Sequence, residues 1–130
     1  HGLSIAETIC ESVAHAAEDL HMAAIAVFTD TGNTARLISK FRPRPVIHAF
    51  SHVPAVCNRM NLLWGVQPFF HSQTKTVEEM VTASEMQLLK QGAVKPDDVI
   101  GVVGGTRMST GSTNFMRLQI VGSGEKKVSS

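Results

Sequence analysis

Cysteine is scarce in this chain of 130 residues, and long apolar runs are missing from it. The two cysteines, Cys10 and Cys57, are too few for a disulfide framework and are typical of a reducing compartment, so we expect a cytoplasmic protein. No stretch of about 18 apolar residues is present, which excludes a transmembrane helix. The opening residues also lack the charged-then-apolar pattern of a secretion signal, and we expect no membrane partner.

An excess of one charge is missing as well. Twelve basic and eleven acidic residues leave a formal charge of +1. The composition therefore does not favour a nucleic acid as partner. A local basic cluster is formed by Arg36, Lys40, Arg42 and Arg44, and we interpret it as a solvated or subunit-facing surface.

The common motifs that position catalytic groups are also missing. The sequence has no GxxxxGK phosphate loop, no GxGxxG dinucleotide fingerprint and no GxSxG nucleophile elbow. No acidic cluster stands where Mg²⁺ would be held for phosphoryl transfer. The histidines show no tight metal-ligand spacing, even though His48 and His52 are four residues apart. From the residues alone we expect a binding domain without a catalytic residue or a metal site.

Apolar residues are abundant enough for one core. They make up 43% of a 14.0 kDa chain, which is the size of one domain. We assign residues 1–122 to this domain and expect a flexible tail at 123–130, where Gly, Ser and Lys dominate. The chain begins with His1 and has no initiator methionine, which we interpret as a sign of a longer polypeptide.

Helical periodicity alternates with short apolar runs along the domain. Ser4 with Glu7, and Thr76 with Glu79, have the spacing of capping boxes and predict two helix starts. The periodicity predicts helices over residues 4–20, 34–41, from 54 onward and 76–92. The apolar runs predict strands over residues 22–28, 46–50, 65–70 and 99–103. Pro68 is typical of an edge strand.

The last predicted strand differs from the others. Met116, Leu118 and Ile120 alternate with Arg117 and Gln119, which is typical of a strand with one wet face. A loop without a helix precedes this strand, so we expect it to pair antiparallel with its neighbour. The elements together predict an α/β fold. It is a doubly wound three-layer α/β/α sandwich whose five-stranded sheet is mostly parallel, with an antiparallel last strand.

The segment from Thr29 to Thr34 follows the first predicted strand and is rich in hydroxyl groups. In open parallel sheets, ligands bind beyond the carboxyl ends of the strands. Here Gly32 permits a close backbone approach, and the amides of a helix N-terminus favour a phosphate. The alternative is an ordinary turn in which Thr31 or Thr34 caps the following helix.

The segment from Gly104 to Thr113 joins the last two strands and is longer than a simple hairpin requires. It contains three glycines, several hydroxyl groups and Arg107. Flexible backbone and a guanidinium group fit a lid that closes over a phosphorylated ligand. The alternative is a mobile solvent loop.

Four segments, in this order, resemble the carboxy-terminal domain of pyruvate kinase. They are residues 24–36 (AIAVFTDTGNTAR), 40–47 (KFRPRPVI), 64–68 (WGVQP) and 111–117 (GSTNFMR). The resemblance extends from about Leu3 to Gly122, which is nearly the whole chain.

The resemblance implies the same five-stranded sheet and a regulatory role. In that family the domain follows a catalytic barrel, contributes to tetramer assembly and in many members binds a phosphorylated allosteric effector. The family's effector phosphate loop maps onto Thr29, Thr31, Gly32, Asn33 and Thr34. Its closing effector loop maps onto residues 104–113, including Gly104, Gly105, Thr106, Arg107, Ser109 and Gly111.

The resemblance also implies a parent enzyme of glycolysis. Such an enzyme transfers a phosphate group from phosphoenolpyruvate to ADP, giving pyruvate and ATP, and needs Mg²⁺ and a monovalent cation. Its catalytic residues and metal ligands lie in the barrel. The resemblance therefore implies no catalytic residue, metal or cofactor in this domain, and a homo-oligomer for the parent.

Two positions depart from the family pattern. Asn33 stands where a basic residue is often found, and Met80 stands about where an Arg of fructose-1,6-bisphosphate-regulated members is expected. The resemblance therefore does not imply recognition of that bisphosphate. It leaves open a phosphorylated sugar or a nucleotide with one phosphate group as effector, and also a site that is no longer used. Two other interpretations stay open, namely a ligand-free subunit-assembly module and a free-standing phosphometabolite sensor.

Overall fold

Helices and strands alternate along the residues that the computed structural model describes, 4–104 and 115–122. The helices are α1 (Ile5–Asp19), α2 (Asn33–Lys40), α3 (Pro54–Met60) and α4 (Val77–Gln91). The strands are β1 (Ala24–Phe28), β2 (Ile47–Ser51), β3 (Val66–Phe70), β4 (Val99–Gly104) and β5 (Phe115–Ile120). The predicted order and class of the elements are confirmed, whereas the predicted tail at 123–130 lies outside the described residues.

The five strands form one sheet in the order β3-β2-β1-β4-β5. The first four strands are parallel to their neighbours. β5 pairs antiparallel with β4, with Val99 opposite Ile120 and Gly104 opposite Phe115. The predicted antiparallel last strand is therefore confirmed. β3 lies at the other edge, as Pro68 predicts.

The two predicted capping boxes differ in the structure. At α1 the box is complete, because the Ser4 hydroxyl accepts from the Glu7 amide and the Glu7 carboxylate accepts from the Ser4 amide. At α4 the Thr76 hydroxyl accepts from the Glu79 amide at 3.1 Å. The Glu79 carboxylate, however, accepts from the amide of Lys75 at 2.7 Å. It reaches one residue further back than the box requires, so this box is only half formed.

The core lies on both faces of the sheet, but the helices are divided unequally. α1, α2 and α3 cover one face, where their buried side chains include Cys10, Val13, Ile38, Val56 and Met60. Of the described helices, only α4 covers the other face, and its buried side chains are Met80, Val81, Ser84 and Leu88. A three-layer sandwich is therefore confirmed, with one layer thinner than the other.

One predicted core side chain lies at the surface. The periodicity of α2 predicts that Leu37, Ile38 and Phe41 face inward. Ile38 is fully buried and Leu37 is partly buried, but Phe41 is 44% exposed. α2 ends at Lys40, and Phe41 stands at its C-cap.

β5 exposes its apolar side chains to solvent, and Arg117 on its polar side is exposed as well. Met116, Leu118 and Ile120 are 36%, 46% and 51% exposed. On the opposite side of the strand, Gln119 donates to the Glu85 carboxylate of α4 at 2.8 Å. Arg117 lies 3.7 Å from the Glu78 carboxylate of the same helix. Because α4 carries these acceptors, the polar side of β5 packs against it.

His48 is a polar residue in the interior. It lies on β2, is 3% exposed and stacks on Phe69 with ring centroids 5.9 Å apart. Its Nδ1 atom has no hydrogen-bond partner among the described residues. Burial lowers the pKa of His48, because the charged imidazolium loses its hydration there. The neutral form is thus the one that fits the fold.

We predict that His48 makes the folded domain less stable in mild acid. At pH above about 6.5, the ordinary pKa of a histidine, both the folded and the unfolded states hold it neutral. As the pH falls below this value, the unfolded chain binds a proton more readily than the folded chain, so the free energy of unfolding decreases. Urea unfolding of wild type and His48→Leu between pH 8 and pH 5 measures the effect. The wild type should lose more stability than the variant, whereas parallel pH profiles would contradict the prediction.

Candidate functional site

The carboxyl ends of β1 and β4 meet at one edge of the sheet. The two strands are adjacent and parallel, with Val27 opposite Val103. The chain leaves β1 through α2 on one face, and it enters β4 from α4 on the other face. This reversal makes a topological switch point, which is where open α/β sheets bind ligands. The two predicted site segments, 29–34 and 104–113, begin at this edge.

The loop between β1 and α2 is ordered by its own threonine side chains. The Thr29 hydroxyl accepts from the Gly32 amide at 2.9 Å, and the Thr31 hydroxyl accepts from the Asn33 amide at 3.2 Å. A hydroxyl that accepts in this way keeps its O–H group as a donor. In this conformation the loop can therefore donate hydrogen bonds to an anion through its hydroxyl groups. The Gly32 and Asn33 amides are already bonded within the loop.

Gly32 begins α2 and sets the shape of the loop. It is the N-cap residue with φ +87°, in the left-handed region that favours glycine, and its cap has no side-chain hydrogen bond. Neither Thr31 nor Thr34 is therefore the N-cap of α2. Thr31 and Asn33 are exposed at the rim, whereas Thr29 and Thr34 are buried beneath it.

Two guanidinium groups flank this loop. Arg36 of α2 donates to the side-chain oxygen of Asn33. Arg59 of α3 donates to the Thr31 carbonyl at 3.4 Å, although 28 residues separate the two positions. Both arginines are exposed. They add the positive charge that a phosphate needs beside the hydroxyl groups.

Arg59 is the residue that sequence reasoning missed. It stands between buried Val56 and buried Met60 on α3, so helical periodicity places it on the flank of that helix. Periodicity does not reveal which neighbouring loop this flank faces. Only the packing of α3 beside α2 brings the guanidinium to Thr31.

Asp30 forms a pair with a histidine from the next loop. Its carboxylate lies 3.3 Å from His52 Nδ1, and the pair is ionic when His52 is protonated. A bare carboxylate beside a phosphate would repel it. The contact with His52 therefore gives this carboxylate a partner of its own at the edge of the loop.

Aromatic rings lie at the same end of the sheet, on the face covered by α4. Phe28 stacks on Phe50 with centroids 4.8 Å apart, and His71 approaches both rings edge-on. Gly104 ends β4 next to this cluster. A Cβ atom at Gly104 would lie 3.3 Å from atoms of Phe115 and Phe28, so the strand end packs tightly against these rings. The aromatic cluster thus forms an apolar wall beside the loop from Thr29 to Thr34.

The predicted effector loop is described only at its first residue. Gly104 is buried at the end of β4. The other predicted residues of this loop, Gly105, Thr106, Arg107, Ser109 and Gly111, lie outside the described residues. Their role stays a prediction from the sequence.

The two cysteines pack against other parts of the fold. Cys10 is fully buried in the core, and burial raises the pKa of its thiol to about 11, with a smaller contribution from Glu7. Cys57 is half-buried, with its sulfur near the carbonyl oxygens of Ser51 and Phe69.

Within residues 4–104 and 115–122, no group of three or more His, Cys, Asp or Glu side chains could hold a metal ion. No helix in these ranges is long and apolar enough to cross a membrane.

Comparison with known proteins points to one family. Residues 7–119 match the family model of the pyruvate kinase alpha/beta domain. Pyruvate kinase from Lactobacillus delbrueckii subsp. bulgaricus is 34% identical over 122 residues, covering 93% of this chain and 21% of that protein. The enzyme from Bacillus licheniformis is 35% identical over 120 residues, covering 92% and 20%. The enzyme from Lactococcus lactis subsp. lactis (strain IL1403) is 36% identical over 118 residues, covering 91% and 24%. The chain thus spans about a fifth of the length of these relatives.

We predict that Gly32→Ala destabilises the domain because an L side chain is strained at φ +87°. The cost should be roughly 1–2 kcal/mol. The new methyl group would lie 3.4 Å from Met60 and 3.5 Å from Val56, which is ordinary contact, so strain is the main term. Gly92→Ala is the matched control, since Gly92 has φ +75° with no atom within 4 Å of the new Cβ. Urea unfolding should show similar losses for both variants, and an unchanged stability of Gly32→Ala would contradict the assigned loop conformation.

Proposed function

This chain belongs to the pyruvate kinase alpha/beta domain family, and from that premise we propose that it is the regulatory and assembly domain of a pyruvate kinase. The parent protein would transfer the phosphate group of phosphoenolpyruvate to ADP in the cytoplasm. Its catalytic barrel, Mg²⁺ and monovalent cation would lie in the part of the parent that this chain does not include. Relatives that are about five times as long are consistent with such a parent.

We further propose that the loop from Thr29 to Thr34 holds the phosphate group of an allosteric effector. The observation that carries this proposal is the combination of preorganised hydroxyl donors and two guanidinium groups at the switch point. Hydrogen bonds within the loop fix its shape before a ligand arrives, which lowers the entropy cost of binding. Arg36 and Arg59 supply positive charge from two different helices.

The aromatic wall fits an effector with one phosphate group. Phe28 and His71, whose rings contact each other edge-on, offer an apolar surface next to the loop. A sugar ring or a nucleobase gains contact area on such a surface, whereas a second phosphate group would lose its hydration there. Regulation would follow from linkage, because an effector that binds one subunit arrangement better shifts the enzyme toward it.

We predict that a phosphorylated sugar or nucleotide with one phosphate group binds this chain. Isothermal titration would compare ribose 5-phosphate, glucose 6-phosphate, AMP, ATP and fructose 1,6-bisphosphate. Arg59→Gln and Thr31→Val each remove a hydrogen-bond donor to the phosphate and should weaken binding roughly 10- to 100-fold. Thr8→Val, an exposed threonine on α1 far along the chain from the loop, should leave affinity unchanged. Absence of binding across the whole set would contradict the effector role for this chain.

The edge of the sheet at β5 favours an assembly role in addition. Within the described residues β5 pairs only with β4, so its outer backbone groups are available to another strand. Met116, Leu118 and Ile120 expose a row of apolar side chains along the same strand. Two copies joined antiparallel through β5 would form a continuous sheet with two-fold symmetry. This contact would contribute to the homotetramer that we propose for the parent.

We predict that Leu118→Lys weakens self-association of the chain, because each copy would bring a charged ammonium group to the apolar row. Sedimentation equilibrium over a range of concentrations measures the dissociation constant, which should rise at least about tenfold. Leu62→Lys is the control, since Leu62 is 88% exposed in the turn after α3 and lies outside the β5 edge. An equal effect of the two substitutions would argue against the β5 edge as an interface.

A further inference from the structure

One flank of α4 borders a groove that no other helix among residues 4–104 and 115–122 fills. Neighbouring strands are about 4.8 Å apart and a helix is about 10 Å wide, so one helix covers about two strands. Three helices cover one face of this five-stranded sheet, but α4 lies alone on the other. The groove of about 720 Å³ is bounded by residues 71–74 on one side and by α4 on the other.

The flank of α4 that lines the groove is distinct from its buried side. Its main residues are Glu79, Thr82, Ala83, Met86, Gln87 and Lys90. Met86 is 66% exposed there, although it is apolar and lies in the middle of the helix. Glu78 also borders the groove, but it and Glu85 make the contacts of α4 with β5. Most of the flank is open to a partner, since Glu79, Thr82, Met86 and Lys90 are exposed.

The order of residues along this flank is self-complementary. In an antiparallel pair of α4 helices whose two-fold axis passes midway between positions 84 and 85, Glu79 faces Lys90 of the second copy. In the same arrangement Thr82 faces Gln87, and the small Ala83 faces the long Met86. The three kinds of pair are thus acidic with basic, hydroxyl with amide, and large with small. An isologous interface requires this kind of matching, since each residue must fit its counterpart twice.

Within one copy the opposite charges cannot satisfy each other. Glu79 and Lys90 are eleven residues apart, which is about 16 Å along a helix. Glu79 already accepts from the Lys75 amide through Oε1, and a carboxylate retains further lone pairs for a lysine. In the antiparallel pair, Lys90 of the second copy lies opposite Glu79 and supplies the cation that Lys90 of the same copy is too far away to supply.

We propose that this flank of α4 is a self-association surface, at which two copies of the chain pair through antiparallel α4 helices. Met86 of each copy would enter the groove of the other beside Ala83. The contact extends over only about three helical turns, well below the roughly 800 Å² per partner of a stable interface. The pairing is therefore weak in isolation, and it is strengthened where another contact already holds the copies together.

To separate this surface from the β5 edge, every variant is made in a Leu118→Lys background, in which that edge is blocked. Sedimentation equilibrium up to about 1 mM measures the remaining dimer. Glu79→Lys and Lys90→Glu each replace two attractive pairs by two repulsive ones, so each should weaken the dimer roughly tenfold or more. The combined Glu79→Lys/Lys90→Glu variant restores both pairs with the charges exchanged, and it should recover the affinity of the background.

Two further variants guard against a general loss of structure. Met86→Lys places a charge opposite Ala83 and should abolish the dimer, while Leu62→Lys should leave it intact. Far-UV circular dichroism confirms that each variant keeps its helices, which matters most for Glu79→Lys because Glu79 bonds the start of α4. Lys90→Glu leaves that start untouched and tests the same pair. A background protein that stays monomeric, or a combined variant that fails to recover, would overturn the proposal.

Discussion

Burial of β1 on both faces and along both edges is the constraint on which the rest of the structure depends. Residues 24–27 of this strand are fully buried. Its neighbours β2 and β4 are both parallel to it, and parallel neighbours require crossover helices. The helix on the path to β2 lies on one face and the helix on the path to β4 lies on the other. The carboxyl end of β1 consequently opens into the crevice where the candidate site lies.

The unequal division of helices between the two faces explains where the protein exposes apolar surface. α1, α2 and α3 bury one face well, whereas α4 alone leaves a groove beside it. At the far edge, β5 turns its polar side toward the carboxylates of α4 and its apolar side toward solvent. Exposed apolar surface of this kind is typical of interaction sites. The surfaces proposed for assembly thus follow from the same asymmetry.

The candidate site combines local order with contributions from distant parts of the chain. Thr29 and Thr31 shape the loop through hydrogen bonds to residues two or three positions away. Arg59 and His52 come from later segments and place charges around it. The proposed regulatory role requires no nucleophile or metal in this chain. It requires a preformed loop whose occupation changes how well subunits or domains fit each other.

The local sequence determined the order of the elements, the parallel sheet with its antiparallel last strand, the capping box at Ser4 and the position of the threonine loop. These features depend on the spacing of residues close together in the chain, where periodicity and turn chemistry act directly. The order of four matching segments likewise identified the family before the fold was known.

Tertiary structure decided the features that depend on which surfaces meet. Arg59 reaches Thr31 only because α3 packs beside α2. Phe41, at the C-cap of α2, is exposed although the apolar pattern of the helix extends to it. The apolar side of β5 faces solvent because Glu78 and Glu85 of α4 hold the polar side. Alternation along a strand distinguishes its two sides, but it does not reveal which side finds a partner. That choice follows from contacts between residues far apart in the chain, and the free energy of those contacts exists only once the fold has formed.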